Sequence, residues 1–366
     1  MSGQIISRRK ALALAGSGAA AVAASASGAL STPAIAQTAV RWKMVTSWPR
    51  DLPGPGVSAR RIAEAITTMS DGKLMVDLHA AGELVPALEV FDAVADGTAQ
   101  MGHTASFFWQ GKMAAAPFFT AVPFGLTPLE HMCWIERGGG QEVWDALYEP
   151  FGVRPFMGGN TGFQMGGWYK RPVTGLDDLK GLKIRMPGLG GEVMRRLGAT
   201  PVSLPPGEIL PALQSGLIDA TEFLGPSADL AMGFHQVAKF YYAPGWHEPN
   251  GTGEALIGTR ALEGLPADLK AIVLHAIRAE NALSLAEGEW MNALQFKALT
   301  DKHGVKVLPF PDEMIAAARR VAGEVLEGFA DMGGADAAVY RSFRKAHEAM
   351  GPWTGANELK YLNARS

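Results

Sequence analysis

Residues 207–226 read GEILPALQSGLIDATEFLGP, a helical segment that ends at Gly216 and is followed by a short apolar strand. Residues 82–104, GELVPALEVFDAVADGTAQMGHT, have the same order: a similar start, a helix that ends at Gly97, and a strand. Helix-glycine-strand units of this kind are typical of an α/β fold with largely parallel strands. The spacing to the glycine differs between the two segments, so chance or a common way of starting a helix remains the alternative to two lobes built alike.

The same alternation of strand-like and helix-like segments extends along the chain. Apolar residues at a helical period predict a helix at Arg60–Met69 and a much longer one from Leu269 to about Leu299, long enough to span two lobes. Two more helices are predicted at Met314–Phe329 and Ala335–Met350. Strands are predicted at Val40–Thr46, Lys73–Leu78, Ala99–Thr104, Phe163–Tyr169, Leu182–Met186, Ala220–Leu224 and Ala255–Thr259.

The composition is that of an ordinary folded protein. The chain has 366 residues, of which 48% are hydrophobic and 19% charged, with a formal net charge of −3. At roughly 150 residues per domain, this length favours two lobes. A mildly acidic chain argues against a nucleic-acid partner, because proteins that bind the phosphate backbone present a basic face. After the N-terminal segment no run reaches the ~20 apolar residues that a membrane span needs.

Residues 1–36 are predicted to be an export signal peptide. Three consecutive basic residues, Arg8 to Lys10, precede an Ala/Gly-rich apolar run, and Ala34-Ile35-Ala36 forms a small-x-small cleavage site before Gln37. The adjacent arginines favour the twin-arginine type, with a general secretory signal as the alternative. Either signal predicts cleavage near Ala36–Gln37 and a protein of the bacterial periplasm.

One arginine stands at the end of a predicted strand. Arg185 closes the segment Leu182–Met186, and Pro187 prevents further pairing. Ligands of open α/β sheets bind outside the carboxyl ends of the strands. Because a guanidinium presents a rigid fork of donors, it suits a carboxylate ligand. The alternative is an arginine that pairs with an acid at the edge of a lobe.

Three further side chains could supply oxygen ligands. Gln164 interrupts an apolar segment beside two glycines, Glu222 follows a predicted strand, and Glu248 lies in an aromatic loop. Two carboxylates and one amide oxygen suit Na⁺, Ca²⁺ or Mg²⁺ better than zinc. Two carboxylates could equally form an acid/base pair, and the spacing does not decide between these roles. The sequence contains no nucleophile elbow, phosphate-binding loop, His-Glu-x-x-His pair or dinucleotide fingerprint in its strand-to-helix setting.

Four segments, Asn160–Trp168, Leu179–Pro187, Gly216–Pro226 and Trp246–Asn250, together resemble the periplasmic solute-binding proteins of tripartite ATP-independent (TRAP) transporters. Within that family they resemble the 2-oxoacid-binding subgroup. The resemblance extends from Trp42 to about Trp353. It implies an α/β, two-lobed periplasmic-binding-protein fold with hinge strands and a long lobe-spanning helix. The expected division is 37–160 mainly first lobe, 161–260 mainly second lobe, 261–310 the long helix and a return to the first lobe, and 311–366 a C-terminal helical segment.

The resemblance also implies a site. Arg185 matches the arginine that clamps the ligand's carboxylate, and a cation, Na⁺ or Ca²⁺, is expected to bridge ligand and protein. The expected cation ligands are Gln164, Glu222, the backbone carbonyl of Phe223, and Glu248. Phe223 replaces a common tryptophan, which leaves the side chain of the acid open. The expected substrate-binding residues are Arg185, Gln164, Phe223 and Glu248, with His103, Thr104 and Phe108 from the first lobe.

The implied function is a receptor, not an enzyme, that captures a small 2-oxo or 2-hydroxy monocarboxylic acid. Because Phe107 and Phe108 present no hydroxyl and Phe223 replaces the tryptophan, we expect the pocket to favour a 2-oxo acid with an apolar substituent. The implied partner of the receptor is an inner-membrane TRAP permease. A homodimer that exchanges C-terminal helices is a further implication, and packing of both helices on their own lobe is the alternative. The competing function is an exported metal-dependent enzyme that acts on a small organic acid with Glu222 or Glu248 as its base.

Overall fold

The computed structural model describes residues 39–366, which fold around two β-sheets. The export signal predicted at 1–36 and its cleavage point lie outside the described residues. The strands are β1 Val40–Thr46, β2 Leu74–His79, β3 Met101–Thr104, β4 Val153–Asn160, β5 Gly167–Tyr169, β6 Lys183–Arg185, β7 Thr200–Val202, β8 Ala220–Thr221, β9 Phe240–Ala243, β10 Thr252–Gly258 and β11 Lys306–Pro309.

The helices cover both sheets, as expected for an α/β protein. They are α1 Pro55–Met69, α2 Val90–Ala95, α3 Pro128–Arg137, α4 Gly140–Tyr148, α5 Gly188–Arg196, α6 Pro206–Ser215, α7 Pro226–Met232, α8 Thr259–Glu263, α9 Ala267–Asp301, α10 Asp312–Glu327, α11 Gly334–Thr354 and α12 Lys360–Arg365. Among residues 39–366, no helix combines the length and the apolar character that crossing a membrane requires.

Each sheet is the centre of one lobe. The first has the strand order β2-β1-β3-β10-β4, with β1 parallel to its two neighbours and β10 antiparallel to β3 and β4. The second has the order β11-β9-β5-β8-β6-β7, in which β6 is parallel to both β7 and β8. The predicted α/β class with two lobes is therefore confirmed.

The chain passes between the sheets through two segments that lie side by side. Residues 161–166 lead from β4 to β5, and residues 244–251 lead back from β9 to β10. The Thr161 amide donates to the Gly251 carbonyl at 2.9 Å, and the Gly245 amide donates to the Gln164 carbonyl at 3.1 Å. Hydrogen-bonded crossing segments of this kind are suited to act as the hinge between lobes.

The structure corrects part of the sequence-based division. Strand β10, placed with the second lobe as part of 161–260, belongs to the first sheet, and β11, placed in a return to the first lobe as part of 261–310, belongs to the second. The chain re-enters the first sheet through 244–251 and leaves it along α9. In addition, Phe163–Tyr169 is a strand only at Gly167–Tyr169, because its first part is a crossing segment.

Helix α9 is the predicted lobe-spanning helix. Its 35 residues make it about 50 Å long. Near its start, Leu269, Val273 and Ile277 lie in the first-lobe core, whereas Leu299 near its end lies in a core of the second lobe. The helix therefore packs on both lobes.

The last long helices pack on the two lobes of the described chain, and whether they exchange between two copies stays a prediction. Helix α10 packs against α5 of the second lobe, and α11 packs against α3 and α4 of the first. The ring of Phe118 contacts Phe329, Tyr340 and Phe343, with ring centroids 5.0, 6.2 and 5.2 Å away. Beyond this packed region the C-terminus is exposed, with Trp353 at 65% of its full accessibility.

A buried carboxyl group lies on β10. The side chain of Glu254 is fully buried and accepts a hydrogen bond from the indole Nε1 of Trp109 at 3.0 Å. Burial raises the pKa of Glu254 to about 7, and neighbouring Tyr148, Trp109 and Trp144 only partly offset this effect. The carboxyl is therefore accommodated better in its neutral form.

This raised pKa predicts a loss of stability as the pH rises. Below pH 4.5, the ordinary pKa of a glutamic acid, Glu254 is neutral in both the folded and the unfolded chain. Between pH 4.5 and about 7, only the unfolded chain releases the proton. As the pH rises through this range, ionisation of Glu254 in the unfolded chain alone lowers the free energy of unfolding by about 3 kcal/mol. Glu254→Gln should flatten the decline in the free energy of unfolding between pH 5 and 8, measured by urea denaturation. The exposed Glu208→Gln variant should keep the wild-type slope, and an unchanged slope in Glu254→Gln would contradict the assignment.

Candidate functional site

Two neighbouring strands of the second sheet bring Arg185 and Glu222 together. Arg185 ends β6 and lies in register with Thr221, the last residue of the parallel strand β8. Glu222 follows directly, so both side chains leave the sheet at the carboxyl ends of adjacent strands. This is the edge at which open α/β sheets bind ligands.

The Arg185 guanidinium is held from several sides. It is only 2% exposed, and its Nη1 donates to the Glu222 carboxylate and, at 3.2 Å, to the Glu222 carbonyl. Its Nε donates to the Leu204 carbonyl at 3.3 Å. The ring centroid of Phe223 lies 5.7 Å from the guanidinium carbon. Its Nη2 has no acceptor among the described residues, which leaves donors for a ligand's carboxylate.

Three side chains of types that can bind a metal ion lie close together beside these strand ends: Glu222, His247 and Glu248. Glu222 is fully buried and its second carboxylate oxygen lies 3.1 Å from Nε2 of His247. One candidate ligand atom each from Glu222, His247 and Glu248 lie within 4.8 Å of one another. Sequence reasoning passed over His247, although its position beside Glu248 in the aromatic loop was the available signal.

Glu248 lies beside a second carboxylate with little solvent. Burial, and then the charge of Glu222, raise the pKa of Glu248 well above its usual range, while Arg185 and Gln164 partly offset the rise. Two buried carboxylates at such short range are unfavourable unless a positive charge balances them.

Gln164 supplies a side-chain oxygen that has no hydrogen-bond partner among the described residues. Its side chain is buried, its Nε2 donates to Thr161 Oγ1 at 3.1 Å, and its Oε1 has no partner among the described residues. A buried amide oxygen without a partner is costly, so it marks a place where a cation or ligand would bind. Gly251 allows this packing, because a Cβ there would lie 2.3 Å from Gln164 Nε2.

A small cavity of about 30 Å³ lies between the lobes, and of these groups Gln164, Arg185 and Glu248 line it. The rest of its polar lining is Thr120, Thr161 and Thr252. Trp48, Ala105 and Phe107 line it from the first lobe, opposite Phe223 and Leu224. A larger groove of about 370 Å³ between α1, α7 and α9 shares only Thr161 and Leu224 with it and does not include the converging carboxylates and arginine. We therefore place the site in the small cavity.

The structure corrects the placement of three residues expected at the cleft. His103, Thr104 and Phe108 do not line the cavity but lie behind the residues that do. Trp48 Nε1 donates to Nδ1 of His103 at 2.8 Å, and Nε2 of His103 donates to the Gly158 carbonyl at 3.0 Å. With both ring nitrogens engaged, and its pKa lowered to about 4 by burial, His103 is neutral and supports Trp48.

The other two residues are likewise one layer removed. Thr104 Oγ1 lies 2.7 Å from Ser47 Oγ, and the Phe108 ring packs at 6.2 Å from Trp48. Sequence reasoning missed Trp48, which occupies the position in front of His103. Its place two residues after β1, at the carboxyl end of a strand, was the signal that could have found it.

Comparison with known proteins identifies the family. The family model "Bacterial extracellular solute-binding protein, family 7" matches residues 53–331. The monocarboxylate 2-oxoacid-binding periplasmic protein of Nostoc sp. (strain PCC 7120) is 40% identical over 329 residues, which are 89% of this chain and 89% of that protein. The chain belongs to family 7 of the bacterial extracellular solute-binding proteins.

Solved structures similar to this family 7 protein share its fold. A TRAP periplasmic solute-binding protein from Pseudoalteromonas atlantica, with bound sodium and pyruvate, is 37% identical with a TM-score of 0.86, over 89% of this chain and 99% of that one. A TRAP transporter solute-binding protein from Bordetella bronchiseptica is 34% identical with a TM-score of 0.87, over 89% and 97%. It is a mixed-occupancy dimer with copurified calcium and picolinate. The resemblance inferred from the sequence is thereby confirmed.

The donor set of this family 7 protein fits a hard cation on its own chemistry. Glu222 and Glu248 supply carboxylate oxygens, and Gln164 supplies a buried amide oxygen that lacks a partner among the described residues. Oxygen donors of these types are those that Na⁺ and Ca²⁺ prefer. A cation there would also balance the carboxylate pair.

The crowded carboxylates predict opposite effects of Glu248→Gln with and without a cation. At pH 8 in chelator, removal of the Glu222–Glu248 repulsion should raise the melting temperature by at least roughly 2 °C. With Ca²⁺ or Na⁺ added, the variant should gain less stability than the wild type, because one ligand charge is lost. Differential scanning calorimetry measures both. Glu208→Gln, an exposed control, should match the wild type, and equal cation stabilisation in Glu248→Gln would remove Glu248 from the shell.

Proposed function

We propose that this protein is the periplasmic receptor of a TRAP transporter and captures a small 2-oxo or 2-hydroxy monocarboxylate through a bridging cation. The observation that carries the proposal is the buried group of Arg185, Glu222, Glu248 and Gln164 at an inter-lobe cavity. The acid is bound and released without chemical change, and an inner-membrane TRAP permease receives it. Export through residues 1–36 belongs to the same proposal.

The proposed division of labour follows from the geometry. Arg185 donates to the carboxylate of the acid, and Gln164 Oε1, Glu222, Glu248 and the Phe223 carbonyl hold the cation. The cation supplies positive charge to two oxygens of the acid at once. The relatives bound to sodium and pyruvate, or to calcium and picolinate, support this form of ligand.

Charge balance admits either cation. The charges of Arg185, Glu222, a protonated Glu248, Na⁺ and the acid anion sum to zero. An ionised Glu248 with Ca²⁺ in place of Na⁺ gives the same sum. The raised pKa of Glu248 favours its neutral form in the absence of a cation, and near-neutral buried sites avoid the large cost of an uncompensated charge.

The apolar wall sets the expected acid. Trp48, Phe107 and Phe223 border the small cavity, and no arginine or lysine other than Arg185 lines it within the described chain. A second carboxylate would there lack a cationic partner and would be costly to bury. We therefore expect small monocarboxylates with an apolar substituent, such as pyruvate, to bind better than dicarboxylates.

The ligand class is tested by calorimetric titration of pyruvate, lactate and succinate, with and without chelator. Pyruvate should bind in the presence of Na⁺ or Ca²⁺, its affinity should fall in chelator, and succinate should bind more weakly. Pyruvate should be recovered unchanged by NMR after prolonged incubation, since turnover would instead support the metal-dependent enzyme. Tighter binding of succinate than of any apolar monocarboxylate would reject the proposed ligand class.

The role of Arg185 is tested by Arg185→Lys. The lysine loses the planar fork, and charge-assisted hydrogen bonds are worth about 1.5–3 kcal/mol, so the affinity for pyruvate should fall roughly 10-fold or more. Arg195→Lys, on the exposed face of α5, is the matched control and should bind as the wild type does. Wild-type affinity in Arg185→Lys would refute the clamp.

We also propose a homodimer that covers the exposed C-terminal end. The large apolar side chains beyond the packed part of α11 are largely exposed to solvent, although side chains of this kind are usually buried. The Bordetella bronchiseptica relative is a dimer. The exposed residues are Trp353, Leu359, Tyr361 and Leu362.

Light scattering tests the dimer. The wild type should have a dimer mass at tens of micromolar, and deletion of residues 352–366 should lower it to the monomer mass while pyruvate binding is retained. A monomer mass for the wild type at that concentration would reject the dimer.

A further inference from the structure

Asp229 lies on α7, behind the proposed cation site, and is buried to 1% exposure. One of its carboxylate oxygens, Oδ2, accepts hydrogen bonds from Trp168 Nε1 at 2.9 Å and from the Tyr241 hydroxyl at 2.6 Å. These two residues lie on β5 and β9, and their rings stack with centroids 4.0 Å apart. Asp229 is therefore fixed to the central strands of the second sheet.

The other oxygen of Asp229 reaches the segment that follows β8 and contains Glu222. Oδ1 accepts the backbone N–H of Leu224 at 3.2 Å. That N–H belongs to the same peptide unit as the Phe223 carbonyl. Because the peptide unit is planar and trans, its N–H and C=O point in opposite directions. Fixing the N–H on Asp229 therefore fixes the direction of the carbonyl.

The Phe223 carbonyl has no hydrogen-bond donor among the described residues, although Phe223 is buried. Buried carbonyl groups are normally paired, so an unpaired one beside a cluster of acidic ligands indicates a cation. A carboxylate that accepts the N–H of the same peptide also polarises it and makes its carbonyl oxygen a stronger donor to a cation.

We propose that Asp229 is a positioning residue for the cation site: it holds the Phe223–Leu224 peptide so that the Phe223 carbonyl faces the cation. The inference rests on the proposed function, in which that carbonyl is a ligand. Asp229 does not touch the acid or the cation and acts only through the peptide. Outer-shell partners of this kind orient ligands and contribute to metal affinity.

Asp229→Asn distinguishes the contribution of Oδ1, which accepts the Leu224 N–H, from that of Oδ2, which accepts from Trp168 and Tyr241. The new amide is expected to turn its oxygen toward the two donors, Trp168 Nε1 and the Tyr241 hydroxyl. Its NH₂ group then faces the Leu224 N–H, so that peptide loses its acceptor. Tyr241→Phe is the matched control, since it removes one bond to Asp229 and leaves the Leu224 bond in place.

The sequence makes the peptide itself observable. Phe223–Leu224 is the only Phe-Leu pair in the chain. Protein labelled with ¹³C-carbonyl phenylalanine and ¹⁵N-leucine therefore gives a single NMR correlation from this peptide, which reports the Phe223 carbonyl and the Leu224 N–H separately. The probe is CaCl₂, titrated with and without pyruvate at pH 8, because burial raises the pKa of Asp229 to about 7.

In the wild type, Ca²⁺ should shift the Phe223 carbonyl resonance. In Asp229→Asn, the Leu224 N–H resonance should move before any Ca²⁺ is added, the Ca²⁺ dissociation constant should rise roughly 10-fold or more, and the carbonyl response should shrink. Tyr241→Phe should keep the wild-type carbonyl response and affinity. If Asp229→Asn does not fold, Asp229→Ala removes the same acceptor and is measured in its place.

Two failures are distinguishable. A normal carbonyl response and normal Ca²⁺ affinity in the Asp229 variant would overturn the positioning role while the proposed function stands. A wild-type carbonyl that does not respond to bound Ca²⁺ would remove Phe223 from the cation shell and overturn the positioning role, whereas a wild type that binds no Ca²⁺ with or without pyruvate would overturn the proposed cation bridge as well. Equal losses in Asp229→Asn and Tyr241→Phe would also overturn the inference, because they would reflect packing rather than the Leu224 contact.

Discussion

The buried ion pair between Arg185 and Glu222 is the constraint on which the rest of the site depends. Removing two charges from water costs several kcal/mol per ion, and that cost is offset only where every donor and acceptor is paired. Glu222 meets this condition through Arg185 on one oxygen and His247 on the other, whereas Arg185 donates to Glu222 and to the Leu204 carbonyl but keeps Nη2 without an acceptor among the described residues. The parallel pairing of β6 with β8 makes the contact possible, because it places both side chains at adjacent strand ends.

Sequence patterns predicted the parts of the fold that depend on local periodicity. Strand β1 was predicted with its observed bounds because its residues alternate, and α9 was predicted to within a few residues because apolar residues recur at helical spacing near its start. Strand β4 was missed, since the proline and the paired glycines in RPFMGGN are typical of turns. Its pairing with β10 is decided by tertiary contacts. The assignment of β10 and β11 to sheets failed for the same reason.

For the site, too, local sequence patterns were informative and tertiary contacts could not be predicted. The structure brings together Arg185, Gln164, Glu222 and Glu248, which sequence analysis singled out because polar side chains in apolar surroundings stand out, and their roles in binding stay predictions. The first-lobe residues His103, Thr104 and Phe108 were expected to line the cavity, but they lie one layer behind it. Strand alternation shows that His103 is buried but not which residue lies between it and the cavity. The Trp48–His103 hydrogen bond joins residues 55 positions apart, and only the paired strands β1 and β3 bring them together.

The two walls of the cavity differ in kind, and this difference indicates how binding and selection are divided. The charged groups, Arg185, Glu222 and Glu248, belong to the second sheet or to the crossing segment beside it, so an acid and its cation can bind there before the lobes close. The first lobe contributes the apolar surfaces of Trp48 and Phe107. Closure then gains free energy only when the substituent of the acid fits against those rings, because a ligand shifts a conformational equilibrium only by its differential affinity for the two states. Under the proposed function, the second lobe would recognise the carboxylate that these ligands share, and closure by the first lobe would favour acids whose substituent fits against Trp48 and Phe107.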